Sequence, residues 1–255
     1  RFVNYMYFMK LIVFQIFTLF VLSCSTTKQE SIVELDSNWE FKSENDKVYL
    51  PASVPGTVHL DLLQNGKIDD PFFRLNEHKL QWIDKLDWEY RTSFDVNDYH
   101  FNYEAIELDF FGLDTYADVF LNDSLIYSSE NMFIGKTVHV KKNIKKGKNN
   151  LLVKFKSPID VGIEKYDKLG YRLPDNANDL SEIGKVPGNK KVGVFERKAP
   201  YSFGWDWGPR LVTSGIWRPI KINFWNNFQI KDLHFTQKIE DYNALIKGEV
   251  EAVSY

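Results

Sequence analysis

From about residue 32 the chain alternates between apolar and polar positions with a period of two. That is the spacing of strands with one buried and one wet face. "DWEYRTSFDV" (87–96) shows it most cleanly: Trp88, Tyr90, Thr92, Phe94 and Val96 fall on one face, Glu89, Arg91, Ser93 and Asp95 on the other. "AIELDFFG" (105–112) repeats the pattern, with Ile106, Leu108 and Phe110 inward. "YADVFLND" (116–123) ends in Asn-Asp, a pair that tolerates the left-handed backbone of a tight hairpin. Further strands are expected over 136–142, 150–157 and 215–225, with the turn-forming "KKGKNN" between the first two. Helices are expected only over 57–66 and 179–184. Many short strands separated by turn signals predict an all-β fold, an antiparallel jelly-roll β-sandwich spanning 32–228.

Three stretches depart from this rhythm. Residues 157–214 carry little alternation and many glycines and prolines, and they read as one long loop. Loops of that length inside a compact domain are usually functional or disordered, and this one is too aromatic for disorder. It contains "YSFGWDWGPR" (201–210), in which Gly204, Gly208 and Pro209 punctuate a turn that carries Trp205 and Trp207 on either side of Asp206. Beyond 228 the alternation restarts as two strands around "EDYN". Two strands make no stable sheet of their own, so 229–255 reads as the first part of a second β-domain that is cut short.

The third departure is the first 24 residues. "MKLIVFQIFTLFVLSC" (9–24) has one lysine, an apolar run too short for a comfortable membrane span, and small residues before a cysteine. This is the layout of an export signal, with Met9 as the expected start. "VLSC" resembles the bacterial lipobox, after which Cys24 becomes the acylated amino terminus; the plain alternative is an ordinary signal with a chance cysteine. Residues 25–31 read as a polar tether. The expected location is the bacterial periplasm or outer membrane, with the membrane as a partner through the lipid anchor. Cys24 is the only cysteine, so no internal disulfide is possible.

Composition narrows the chemistry further. A 44% apolar and 16% aromatic share of 255 residues supplies a full core with aromatics to spare. Net charge is −3, and no basic stripe of the kind nucleic acid needs is present. The five histidines lie in no metal-ligand spacing, and His59 and His78 read as structural or exposed. "RLPDNANDLSEIG" (172–184) lacks the regular acid spacing of a calcium loop. No cofactor is indicated.

Several stretches resemble the amino-terminal part of the β-mannosidases in the β-galactosidase-like glycoside hydrolase family 2. They are "VPGTVHLDLLQNGKIDDPFFRLNE" (54–77), "WIDKLDWEYRTSF" (82–94), "FFGLDTYADVFLND" (110–123) and, most specifically, "RKAPYSFGWDWGPRLVTSGIWRPI" (197–220). The resemblance covers about 32–255. It implies a sugar-binding jelly-roll sandwich, then an immunoglobulin-like sandwich begun at 229, then a (β/α)8 barrel holding two catalytic glutamates. No run of alternating strands and long helices occurs here, so the barrel is missing and no glutamate of this chain is a catalytic candidate. The resemblance implies an exo-acting enzyme that removes terminal non-reducing β-D-mannose with retention, and a chain that is inactive alone. A stand-alone carbohydrate-binding or adhesion module, or another hydrolase of the family such as a β-galactosidase or β-glucuronidase, remains open.

The resemblance also assigns the 201–210 loop to the subsite for the terminal mannose. Indole faces stack on the C–H face of a pyranose, and a carboxylate accepts hydroxyl donors. Trp205, Asp206 and Trp207 are the substrate-binding candidates for a β-mannoside oligosaccharide. The plainer alternatives are that Trp207 packs inward and that Asp206 pairs with Arg210 or Arg197. Arg197 and Lys198 could instead pair structurally.

Overall fold

The computed structural model describes residues 30–176, 178–180 and 190–254. Cys24, the signal, nearly all of the tether and most of the helix expected over 179–184 lie outside the described residues. Among the described residues, twelve strands form three antiparallel sheets. They are β1 (Ser31–Glu34), β2 (Trp39–Ser43), β3 (Leu50–Ala52), β4 (Trp88–Val96), β5 (Ala105–Phe110), β6 (Tyr116–Leu121), β7 (Ser124–Glu130), β8 (Lys136–His139), β9 (Gly147–Phe155), β10 (Ile220–Trp225), β11 (Phe228–Glu240) and β12 (Asn243–Ser254).

A six-stranded sheet in the order β3-β2-β4-β9-β6-β7 shares one core with a four-stranded sheet in the order β1-β10-β5-β8. The expected antiparallel sandwich is therefore the observed fold. On β4 the alternation is realised except at Phe94, which is only half-buried. Trp88, Tyr90 and Val96 are buried on β4, which pairs with β9 from Trp88↔Phe155 to Val96↔Gly147. The facing sheet contributes Ile106, Leu108 and Phe110 of β5 and Ile220, Ile222 and Phe224 of β10. Each fully buried large apolar side chain is worth about 1.5–3 kcal/mol, so this interface dominates the stability of the sandwich. The Asn122-Asp123 turn takes positive φ at both residues, as the hairpin reading requires.

Three expectations need correction. The polar face of 105–112 is not wet at Glu107 on β5, which is fully buried, with His139 Nδ1 3.2 Å from one carboxylate oxygen and Lys231 Nζ donating to the other at 2.9 Å. The strand expected from 215 begins only at Ile220; Gly215 instead makes an isolated antiparallel bridge with Asp114.

The largest correction is a twelve-residue helix in the stretch read as a loop. Val58–Gln64 (α1) was expected and Asp98–Phe101 (α2) is one turn, but Pro158–Leu169 (α3) was not foreseen. Its ends follow ordinary capping chemistry. Ser157 Oγ accepts from the Asp160 amide at 3.1 Å, Pro158 opens the first turn, and Gly170 closes it at φ 79°. One face of α3 is buried on the 192–212 region: Ile159, Val192, Phe203 and Val212 form a second, smaller core, with Ile163 packed against it.

The two strands after 228 form a hairpin, β11 with β12, turning at Asp241-Tyr242, both of positive φ. Most of its apolar side chains, including Leu233, Phe235 and Leu245, are exposed.

Candidate functional site

The segment 197–217 is tied to the sandwich by main-chain contacts rather than by a sheet. Arg197 bridges Asn131 in parallel, and the Met132 amide donates to Arg197 O at 3.0 Å. The Val58 and Gly56 amides donate to Ser214 O and Ile216 O, both at 2.8 Å. Between these ties, Pro200–Phe203 winds one 3-10 turn and Gly204 follows at φ 119°, with Asn178 O only 2.9 Å from where a Cβ would stand. A side chain there would meet both a strained backbone and a carbonyl. The Gly208 amide reaches back to Trp205 O at 3.4 Å, which places Asp206 and Trp207 at the tip of a turn.

The tip is open to solvent. Trp207 is 82% exposed, and its ring meets Trp205 edge-on at a centroid distance of 6.2 Å. Asp206 is exposed and has no hydrogen-bond or ion-pair partner among the described residues. Beside the tip lies a cleft of about 560 Å³, within the range of small-molecule sites. Trp205 and Trp207 line it together with Phe72, Phe133, Tyr201 and Trp217. At its floor Asp114 and Thr213 add polar atoms. An aromatic wall with few polar groups suits the apolar face of a sugar ring.

The floor is electrostatically closed. Lys198 is fully buried and its ammonium donates to both Asp114 carboxylate oxygens at 2.5 Å and to Thr213 O at 2.8 Å. Thr213 and Thr115 hydroxyls donate to the same carboxylate. Burial pulls the Lys198 amine down from its ordinary value, and Asp114 offsets part of that. Nearby His59 is buried with Nδ1 unpartnered; desolvation, reinforced by Lys198, lowers it to about 4, so it is neutral near pH 7. Glu196 is the opposite case. Burial raises its carboxyl to about 7, with Tyr116, Lys165 and Lys198 offsetting only part.

The structure thus brings Trp205 and Trp207 to one cleft and sets Asp206 at the adjoining tip. Trp207 does not pack inward. Asp206 does not pair with Arg210, which is buried against Asp84 at 2.7 Å, nor with Arg197, whose neighbour Lys198 takes Asp114. Phe72, Phe133, Tyr201 and Trp217 were not singled out as site residues from sequence. Tyr201 and Trp217 lie in the same aromatic segment, which was the available signal; Phe72 and Phe133 come from distant loops. Among the described residues no cluster of His, Cys, Asp or Glu could hold a metal.

The two antiparallel sheets packed over one core define a β-sandwich, with the aromatic cleft carried on its long excursion. Residues 39–218 match the glycosyl hydrolase 2 galactose-binding-domain-like family, and the chain belongs to it. It is 31% identical over 219 residues to a β-mannosidase of Mus musculus and 36% identical over 231 residues to β-mannosidase B of Thermothelomyces thermophilus. Those alignments cover 86% and 88% of this chain but 24% and 25% of the relatives. The crystal structure of a β-D-mannosidase from Dictyoglomus thermophilum superposes with a TM-score of 0.80 at 41% identity, over 88% of this chain and 26% of that one. The chain spans about a quarter of the length of the relatives it matches.

Proposed function

We propose that this chain is the amino-terminal, sugar-contacting part of an exo-β-mannosidase that releases terminal non-reducing β-D-mannose. The observation that carries the reading is the turn tip: an unpaired Asp206 between two indoles that line a cleft, in a chain similar to β-mannosidases. In this reading Asp206 accepts hydroxyl donors from the mannose, and Trp205 and Trp207 cover its C–H face. Retaining hydrolysis uses two carboxyl groups about 5–5.5 Å apart, one as nucleophile and one as acid/base. No residue of this chain is assigned to that pair; it belongs to a barrel outside the chain. The loop's part is to bind and orient the sugar and to shield one face of it from water.

Kinetics of the full-length parent on an aryl β-mannoside test the assignment. Asp206→Ala should lose a charge-assisted hydrogen bond worth about 1.5–3 kcal/mol, or roughly 10- to 150-fold in kcat/KM. An Asp206→Ala protein with unchanged kcat/KM removes the loop from the sugar. Faster cleavage of an aryl β-galactoside or β-glucuronide by the parent would reassign the substrate. The 255-residue chain alone should bind manno-oligosaccharide weakly and hydrolyse nothing.

We also propose that the protein is exported and acylated on Cys24, which rests on the 9–24 pattern alone. Incorporation of labelled fatty acid should vanish in Cys24→Ala; undiminished label excludes it.

A further inference from the structure

The "GWDWGPR" motif ends on a cation, and a cation beside a sugar loop invites a ligand role. The structure uses it otherwise. Arg210 is 1% exposed. Its guanidinium lies 2.7 Å from Asp84 Oδ2, donates through Nε to Leu180 O at 2.7 Å, and donates through Nη1 to Gln81 Oε1. Its main chain is held as well. The Arg210 amide donates to Glu77 Oε1 at 2.7 Å, and Arg210 O accepts from Gln81 Nε2 at 2.9 Å. One residue therefore joins the aromatic loop to the 77–84 turns and to the strip at Leu180.

The seat of this guanidinium is itself fixed. Asp84 is buried and carries Lys85 on its other oxygen at 2.7 Å. Asp84 O accepts from Ser157 Oγ, the cap of α3, at 2.6 Å, and Ile83 O accepts from the Trp88 indole on β4 at 3.0 Å. The anchor thus runs from the loop to the sandwich core and to the helix. Asp84 takes Arg210 as Asp114 takes Lys198, so two basic residues flanking the tip are held by buried acids. Asp206 is left as an acceptor for hydroxyl donors.

We propose that Arg210 is the positioning residue of the sugar loop, acting through Trp205–Trp207 from a seat made by Asp84 and Gln81. The proposal rests on the sugar-subsite reading for its kinetic consequence, though not for the anchoring itself. A planar fork with several fixed donors makes these contacts at once, whereas the single ammonium of lysine cannot.

The test uses the full-length parent and four variants: Arg210→Lys, Gln81→Met, Asp206→Ala and the Arg210→Lys/Asp206→Ala pair. In folded Arg210→Lys, KM for an aryl β-mannoside should rise about 10- to 100-fold, more than kcat falls, because misplacing a binding group by about 1 Å is that costly. That loss should shrink in the Asp206→Ala background to the part carried by Trp205 and Trp207, which a general loss of stability would not produce. Chymotryptic cleavage after Trp205 or Trp207 in the native protein should also accelerate. Gln81→Met should move both readouts the same way by less, and it decides the matter if Arg210→Lys does not fold. Unchanged loop cleavage, or losses that simply multiply in the pair, overturns the proposal. Faster cleavage together with a kinetically normal Asp206→Ala upholds the anchor and sinks the sugar subsite instead.

Discussion

Two tryptophan-bearing regions of this molecule are held by opposite means. Trp88 lies on β4, is 1% exposed, stacks on Phe41 of the neighbouring strand at 5.9 Å, and is placed mainly by burial in the shared core, with one indole hydrogen bond to Ile83 O. Trp207 lies on a turn, is 82% exposed, and is placed by a segment whose own fixation is polar: the Lys198–Asp114 and Arg210–Asp84 pairs beneath it. Alternating apolar side chains suffice to stack two sheets, since burial is non-directional. The excursion has only the small core of Ile159, Val192, Phe203 and Val212 for that drive, and the indoles it leaves outside need directional contacts as well.

Breaking either region should be costly, but by different routes. Trp88→Ala should destabilise by about 3–5 kcal/mol through a cavity in the shared core, read as a fall in the urea midpoint. Lys198→Met should cost a comparable amount, about 3–5 kcal/mol, because it leaves Asp114 buried and uncompensated. The sharper comparison is the double replacement Asp114→Leu/Lys198→Met. It removes both charges and should recover much of the loss. No recovery would mean that the pair acts through shape rather than charge.

The pH dependence separates two buried groups. Glu196 has its folded pKa raised from 4.5 to about 7. The folded state therefore holds a proton that the unfolded chain has released, and stability falls as pH rises across that window. His59 has its folded pKa lowered from 6.5 to about 4, so the unfolded chain binds the extra proton and stability falls as pH drops through that window. Glu196→Gln should flatten the decline above pH 5 and leave the acid limb in place; a profile that declines as before removes Glu196 as its cause.

The smallest effects lie on exposed surface. Asp206→Ala should leave the unfolding free energy from urea denaturation within about 0.5 kcal/mol of wild type, since the side chain has no partner among the described residues to lose. Lys156→Ala, which removes the exposed pair with Asp118 at 3.3 Å, should cost about 0–1 kcal/mol. A large loss at Asp206 would erase the distinction between the two regions.

Much of the sandwich was legible before any coordinates. Period-two alternation names β4, β5, β6 and β9, and Asn122-Asp123 names a hairpin, because strand faces and left-handed turns are local consequences of residue type. Helix α3 is also locally encoded, in Ser157, Pro158, Asp160 and Gly170, but the glycine- and proline-rich stretch around it masks that signal. Trp205, Asp206 and Trp207 were legible as an aromatic turn, since glycine and proline flank them, but not as solvent-facing, since nothing local decides whether an indole packs inward. Glu107 was not: an alternating strand predicts a wet carboxylate, and only the approach of His139 and of Lys231, at the irregularity in β11, makes its burial tolerable.

The sequence by itself determined the strand periodicity, the hairpin turns and the aromatic loop, for each follows from contacts within a few residues. Only the tertiary structure decided which cation meets which acid. Arg210 is four residues from Asp206 in sequence, yet it is held by Asp84, and Lys198 by Asp114, across long separations. Residue type sets what a charge can do, but the desolvation that makes one partner preferable to another exists only once the chain has closed around it.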